Sequence, residues 1–443
     1  MAKKVTIFGA GFVVKPMVDY LAKHGYEVLV SSRTVSKAEA LAEPHPNVSA
    51  MQFNSSDDET MSKLVQESDL VVSMLPATMH VKVAKQCIMH KTNMVTTSYI
   101  SPKMRELDQA AKDAGITVLN EIGVDPGIDH MSAMRIFHHV EDNGGKIVSF
   151  RSYCGGLPAP EANTNPMGYK FSWAPKGVLM AAMNGGTYLC DGEVVEVEGK
   201  NLFSHNWFVE VEGTGTFEAY INRNSLPYID LYNLPHVKTM YRGTLRNVSH
   251  CETWYVLSQM GFFKDVVKFD NLDKLTIREF ILIHVFKRNK TENLGKVLRK
   301  IYNLPEHSVI LKKFEWMGFF DNKAMVPISS GSAVDVLTAI MLEKMPYLDG
   351  ERDMLVMHHE FKAEFPDKEQ FITSSIVDFG IPNGDSSMAR TVSLPAAIAT
   401  RMILEGTIAE KGVLMPVLRE VYTPILKELD KMGIKINEKF KTL

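Results

Sequence analysis

Gly9 and Gly11 stand two residues apart in V-T-I-F-G-A-G-F-V-V-K-P (residues 5–16), after an apolar run and before a helical pattern. A strand, a glycine loop and a helix in that order form a cradle for a pyrophosphate. The first glycine permits the tight turn, the second lets the backbone approach the phosphates, and the helix start offers unpaired N–H groups. Ala10, Phe12 and Val13 complete the loop. The third position of the G-x-G-x-x-G pattern holds Val14. That position serves helix–strand packing, so Val14 is expected to push the helix outward without abolishing binding. An NAD site places Asp or Glu about 20 residues on, at the end of the second strand, to bond the ribose 2′-hydroxyl. Here Ser31, Ser32, Arg33 and Thr34 stand there instead. An acid would repel a 2′-phosphate, whereas hydroxyls and a guanidinium attract it, and Arg33 can also lie flat on the adenine. The expected cofactor is NADP(H), with Ser32, Arg33 and Thr34 on its adenosine side.

Other strand ends complete the chemical inventory, because ligands of doubly wound sheets sit outside the carboxyl ends of the strands. The fourth strand runs into Leu75 and Pro76, expected to wall the cofactor, and the fifth presents Ser98 and Tyr99. The sixth leads to G-V-D-P-G-I-D-H, where Asp125 follows Val124. Asp125 is placed to meet a cationic amine or a proton in transit; its alternative role is to cap the helix after Pro126. His130, His138 and His139 on that helix read as core or surface residues. No His/Asp/Glu cluster has metal-ligand spacing and no Ser or Cys nucleophile signature occurs, so no metal is expected.

These residues need elements to hold them. Over residues 1–125 short apolar runs alternate with amphipathic ones: strands near 4–8, 26–32, 49–53, 69–75, 93–99 and 116–123, and helices over 15–25 and 101–115. Near-continuous apolar strands separated by helices mean a parallel sheet covered on both faces, a Rossmann-type α/β domain. From about residue 146 the pattern alternates apolar and polar between Gly and Pro, which suits a mixed or antiparallel sheet. The expected division is a dinucleotide-binding domain over 1–125, with helices of 388–443 packing back on it. A substrate-binding and dimerisation α+β domain follows over 126–251 and 346–387, with a helical insertion over 252–345. The formal charge of -3 exerts no pull toward nucleic acid or anionic membrane. The four cysteines, Cys87, Cys154, Cys190 and Cys251, form no C-x-x-C and suit reduced thiols. No signal-peptide pattern and no run of about 18 apolar residues appears, so a cytoplasmic protein without membrane partners is expected.

The segments VTIFGAGFVVKPMVDYL, SSRT, VVSMLPATMH, TTSYISPKM, NEIGVDPGIDHMSAM and YCGGLPAPEANTNPMGYKFSWAP together resemble saccharopine reductase, the NADP-dependent, L-glutamate-forming saccharopine dehydrogenase of fungal type. The resemblance covers essentially the whole chain. It implies that L-2-aminoadipate 6-semialdehyde condenses with L-glutamate and that NADPH reduces the imine to saccharopine, in the α-aminoadipate route to lysine. It carries substrate contacts onto Arg223, Thr244, Leu245 and Arg246, beside Ser98, Tyr99 and Asp125, with the arginines clamping carboxylates. It places Trp173 near the nicotinamide and Val124 on the cofactor side, and it implies a homodimer formed through the second domain's sheet. Loss of water from the carbinolamine needs an acid; Tyr99, Asp125 and Cys154 are candidates, and the sequence does not choose among them. Two other readings compete: an imine reductase for another amine, such as one forming carboxynorspermidine, and a catalytically silent NADP-binding scaffold.

Overall fold

Six short strands alternate with helices through the first part of the chain: β1 (Lys4–Phe8), α1 (Lys15–Lys23), β2 (Glu27–Ser32), α2 (Val35–Ala42), β3 (Val48–Gln52), α3 (Asp58–Gln66), β4 (Leu70–Ser73), α4 (His80–His90), β5 (Asn93–Val95) and, after two small helices, β6 (Thr117–Leu119). This is a computed structural model in which residues 2–172 and 175–443 are described. It divides into two units, Met1–Ile147 with Lys362–Leu443 and Val148–Phe361.

In the first unit all pairings of the large sheet are parallel. The strand order is Gly412–Leu414, β6, β5, β4, β1, β2, β3. The order reverses between β1 and β4, so the crevice for a ligand opens outside their carboxyl ends. Val5, Ile7, Leu70, Val71 and Val72 are almost wholly buried, which is why these strands read as unbroken apolar runs.

Two expectations need correction. The stretch 101–115 forms two helices, α5 (Pro102–Arg105) and α6 (Asp108–Asp113). Ser101 caps the first, its hydroxyl accepting from the Met104 N–H at 3.2 Å. The break follows because the Leu107 N–H bonds back only three residues, to the Met104 carbonyl, tightening the turn and ending the helix. The tail, read as helical, does supply long helices over Ser387–Glu405 and Arg419–Lys431, the former packed on α1. It also supplies Gly412–Leu414 beside β6, and Asn437–Thr442 paired antiparallel with Glu369–Phe379. After β6 comes α7 (Ile128–Asp142).

The second unit is built on β7 (Lys146–Pro158), α8 (Pro175–Ala181), β8 (Gly186–Cys190), β9 (Glu193–Val197), β10 (Asn206–Val211), β11 (Gly215–Ile221), α9 (Pro227–Leu231), β12 (Thr239–Asn247) and α10 (His250–Met260). Its sheet runs β10, β11, β12, β7, then Asp353–Glu364, with β8 against β12 and β9 against β8. β11 is antiparallel to both neighbours while β12 is parallel to β7, so the sheet is mixed. Further helices fill Ile277–Phe280, Leu294–Tyr302, Val309–Trp316 and Ala333–Lys344.

Candidate functional site

Gly9 adopts φ +116°, and a Cβ there would lie 2.8 Å from the Met74 carbonyl oxygen at the end of β4. Only glycine fits so close to that backbone. The Gly9 N–H donates to the Ser31 carbonyl at 2.8 Å, tying the loop to β2. Around Gly11 a Cβ would meet nothing within 4 Å, so that side of the loop is open to a ligand. Val14 is fully buried and stands at the N-cap of α1. No side chain caps that helix, and its first turn holds no acid. Pro16 has no N–H and the Val14 and Met17 N–H groups donate to the Gly11 and Val14 carbonyls at 3.2 and 3.1 Å, so in this turn the Lys15 N–H and the positive end of the helix dipole remain for an anion. The valine in the third glycine's place packs into the core and leaves that end of the helix unobstructed.

At the end of β2, Ser32 is half-buried while Arg33 and Thr34 are exposed. The Ser32 hydroxyl accepts from the Thr34 N–H at 3.3 Å. α2 starts here with neither a side-chain cap nor an acid in its first turn. Lys37, outside the motifs that singled out this strand end, lies in the first turn of α2, four residues after Arg33, with its Nζ 5.8 Å from the ring centroid of exposed Phe12. Its place in the first turn after the strand end, close to Arg33 in sequence, was the signal available. Ala10 is half-buried and Val13 likewise, and past β4 come half-buried Leu75 and exposed Pro76.

The ends of β5 and β6 hold the groups that could move a proton. The Tyr99 hydroxyl donates to Asp125 Oδ1 at 2.7 Å, with Val124 buried next to it. Ser98 is gripped from below by His80, the first residue of α4. His80 Nε2 lies 2.8 Å from the Ser98 Oγ and Nδ1 2.9 Å from the Ser73 Oγ. Burial lowers the His80 pKa to about 4, so the ring is neutral at pH 7 and orders two hydroxyls with one donor and one acceptor. No local pattern pointed to it, since Ser73 and Ser98 approach only across the sheet. His130 is a core residue, fully buried, 2.9 Å from a Glu121 oxygen.

In the second unit Arg246 is 6% exposed. Its Nη1 donates to the Leu245 carbonyl at 2.9 Å, and its Nε has no partner. The guanidinium lies 5.2 Å from the Tyr169 ring centroid and 6.0 Å from that of Tyr220. Glu218, opposite it in register, spends both oxygens on the N–H groups of Ser249 and Cys251, each at 2.7 Å. Arg246 thus has no carboxylate partner among the described residues, an unusual state for a buried cation. His250 shares its surroundings; burial first, then Arg246 and Lys313, push its pKa well below the ordinary range. Thr244 pairs with Cys154 across β12 and β7, and Cys154 is buried. Leu245 is fully buried. Arg223 sits after β11 in a left-handed conformation, φ +64°, and is exposed. Because β11 and β12 are antiparallel, Arg223 and Arg246 stand at opposite ends of the pair. They are about five residues apart in register, about 16 Å at ~3.3 Å per residue. They do not converge on one point. Trp173 lies outside the described residues.

The first unit has the build of a nicotinamide-dinucleotide oxidoreductase, and the lack of an acid after β2 selects the phosphorylated carrier. The family model described as "Saccharopine dehydrogenase NADP binding domain" matches residues 5–119, and "Saccharopine dehydrogenase C-terminal domain" matches 123–434. The chain belongs to the saccharopine dehydrogenase family, and its cofactor is NADP(H). It is 40% identical over 446 residues to saccharopine dehydrogenase (NADP(+), L-glutamate-forming) of Saccharomyces cerevisiae, covering 99% of each chain. It is 38% identical, with the same coverage, to the enzyme of that name from Pyricularia oryzae. Against the mitochondrial alpha-aminoadipic semialdehyde synthase of Bos taurus, identity is 37% over 98% of this chain and 47% of that one. The solved apo saccharopine dehydrogenase (L-Glu forming) from Saccharomyces cerevisiae superposes with a TM-score of 0.90, covering 99% of this chain and all of that one.

Proposed function

We propose that the protein catalyses the NADPH-dependent reductive condensation of L-2-aminoadipate 6-semialdehyde with L-glutamate to L-saccharopine, reversibly, in lysine biosynthesis by the α-aminoadipate pathway. The observation that carries this reading beyond the family is Arg246, a buried guanidinium with an unpartnered Nε and no ion pair among the described residues, since Glu218 opposite it spends both oxygens on backbone N–H groups. A carboxylate from outside completes such a group. The product has three carboxylates, and a chain of net charge -3 must meet them with local cations. The register separation of Arg223 from Arg246 suits two carboxylates of one elongated ligand better than one carboxylate held twice.

The bound cofactor supplies the hydride. The loop of Gly9 and Gly11 with the start of α1 holds the pyrophosphate; Ser32, Arg33 and Thr34, aided by Lys37, hold the 2′-phosphate; Leu75, Pro76, Ser98 and Val124 wall the remainder. Substrate contacts fall to Ser98, Tyr99, Asp125, Arg223, Thr244, Leu245 and Arg246. The hydrogen-bonded Tyr99 and Asp125 pair manages the proton lost and gained as the carbinolamine dehydrates, and the Asp125 carboxylate stabilises the cationic imine. Cys154, one strand from Arg246, is the other candidate donor. Asp125→Asn and Tyr99→Phe should each slow turnover by about 10²–10⁴-fold or less, the usual worth of a general acid.

On the same reading the protein works as a cytoplasmic homodimer. Among the described residues none of the four cysteines is in a disulfide, which suits a reducing compartment. Among the described residues no helix is long and apolar enough to cross a membrane. The edge strands β9 and β10 carry Val194 and Phe208, 62% and 64% exposed, an apolar rim that a second copy would cover. The test of function is saccharopine oxidation by the Arg246→Ala variant. Its apparent KM for saccharopine should rise at least tenfold with KM for NADP+ unchanged; unchanged saccharopine binding would show that Arg246 clamps no carboxylate.

A further inference from the structure

Glu121 lies just beyond β6, 3% exposed, in a left-handed conformation with φ +54°. Its contacts bracket Tyr99. Its N–H donates to the Ser98 carbonyl at 3.1 Å, and its Oε1 accepts from the Ile100 N–H at 2.8 Å. The residues on both sides of Tyr99 are therefore held by one side chain and its own backbone. The other oxygen, Oε2, lies 2.9 Å from the Nε2 of His130 in the first turn of α7. In that turn Asp129 Oδ1 accepts from the Gly127 N–H at 2.6 Å, and Gly127 has no room for a side chain, since a Cβ would lie 2.0 Å from the Gly123 carbonyl oxygen. Asp125 sits on the short connection between Glu121 and this braced turn. Two loops that are 26 positions apart in sequence, one carrying the Tyr99 hydroxyl and one its Asp125 acceptor, are joined through a single buried carboxylate. Non-glycine residues held at positive φ occur where the surroundings over-determine them, commonly beside sites of function.

We propose that Glu121 is a positioning residue of the reaction, acting through the Tyr99–Asp125 pair by fixing the two loops against each other. This rests on the reading that the pair handles the proton. Glu121 touches neither cofactor nor substrate in this scheme; it sets the distance across which the tyrosine donates. A purely structural carboxylate would stabilise the unit without caring whether Tyr99 has a hydroxyl, and that difference can be measured.

The experiment is a double-mutant cycle on the full chain, read as kcat, KM for NADP+ and the pH profile of kcat. Glu121→Gln keeps the size and an acceptor for the Ile100 N–H, and should stay within about threefold of the parent. Glu121→Ala should lower kcat about 10–100-fold, the effect of misplacing reacting groups by about 1 Å. It should shift the pH profile and leave KM for NADP+ within about twofold. In a Tyr99→Phe background the same alanine change should cost less than about threefold, because effects of residues that act as one unit do not add. If the alanine variant does not fold, Glu121→Asp carries the test, since it keeps the charge but draws the carboxylate back by one methylene and should show the same dependence on Tyr99. Full turnover in Glu121→Ala or Glu121→Asp, or an equal loss with and without the Tyr99 hydroxyl, overturns the proposal. Should Tyr99→Phe and Asp125→Asn themselves turn over at the parent rate, the reading of the pair fails, and the positioning role with it.

Discussion

Replacing His80 with glutamine should change how the stability of the first unit responds to acid. The ring is 3% exposed between Ser73 and Ser98, and burial lowers its pKa to about 4 from an ordinary 6.5. Below pH 6.5 the unfolded chain takes up a proton that the folded one refuses until about pH 4. The unfolded state binds more protons in that window, so stability falls as pH drops through it and the loss levels off below about 4. Each pH step across the window costs about 1.36 kcal/mol, so the full loss is about 3 kcal/mol, of which about 2 kcal/mol has accrued by pH 5. Glutamine bridges both hydroxyls with an amide that does not titrate. Urea unfolding of parent and His80→Gln, at pH 7 and pH 5, measures the difference. Far-UV circular dichroism is the probe, because the tryptophans among the described residues, Trp207, Trp254 and Trp316, belong to the second unit. The variant should lose about 2 kcal/mol less than the parent between the two pH values. Equal losses would show that His80 titrates as an exposed histidine does and that its grip on Ser98 is misjudged.

Arg33→Ala should raise KM for NADP+ about 10–100-fold, the worth of about one or two charge-assisted bonds, and leave KM for NAD+ nearly unchanged; steady-state kinetics with both cofactors checks it. Gly9→Ala drives a methyl to 2.8 Å from the Met74 carbonyl, so fluorescence titration should find NADPH binding lost while tryptophan emission from the second unit keeps its native maximum. Arg246→Lys keeps the charge but gives up the two-pronged geometry; its KM for saccharopine should rise about tenfold, less than for Arg246→Ala, and an unchanged KM would show that no carboxylate is gripped there.

Much of this site could be read from sequence where the signal is local. Gly9, Gly11 and Arg33 stand at fixed offsets from one strand, and the parallel sheet announces itself through buried apolar runs such as Leu70–Ser73. What escaped depends on approach across the sheet. His80 meets Ser98 and Glu121 meets Ile100 only because β4, β5 and β6 lie side by side. Gly412–Leu414, three residues long, is too short to show a period, and it becomes a strand because β6 offers it a free edge. The break between α5 and α6 turns on one backbone bond at Leu107. Arg223 and Arg246 both looked like strand-end arginines; the antiparallel register, which places them at opposite ends, is a tertiary fact. Lys37 was visible four residues after Arg33, but its meaning needed the exposed Phe12 ring beside it.

An exposed arginine after β2 and a buried one on β12 match a phosphorylated nicotinamide carrier and a tricarboxylic amine. The direct measurement is the absorbance of reduced nicotinamide when the purified protein receives saccharopine with NADP+ or with NAD+. Saccharopine-dependent reduction of NADP+ should far outpace that of NAD+ at equal concentration. No saccharopine-dependent signal, or equal rates with the two cofactors, would contradict that match.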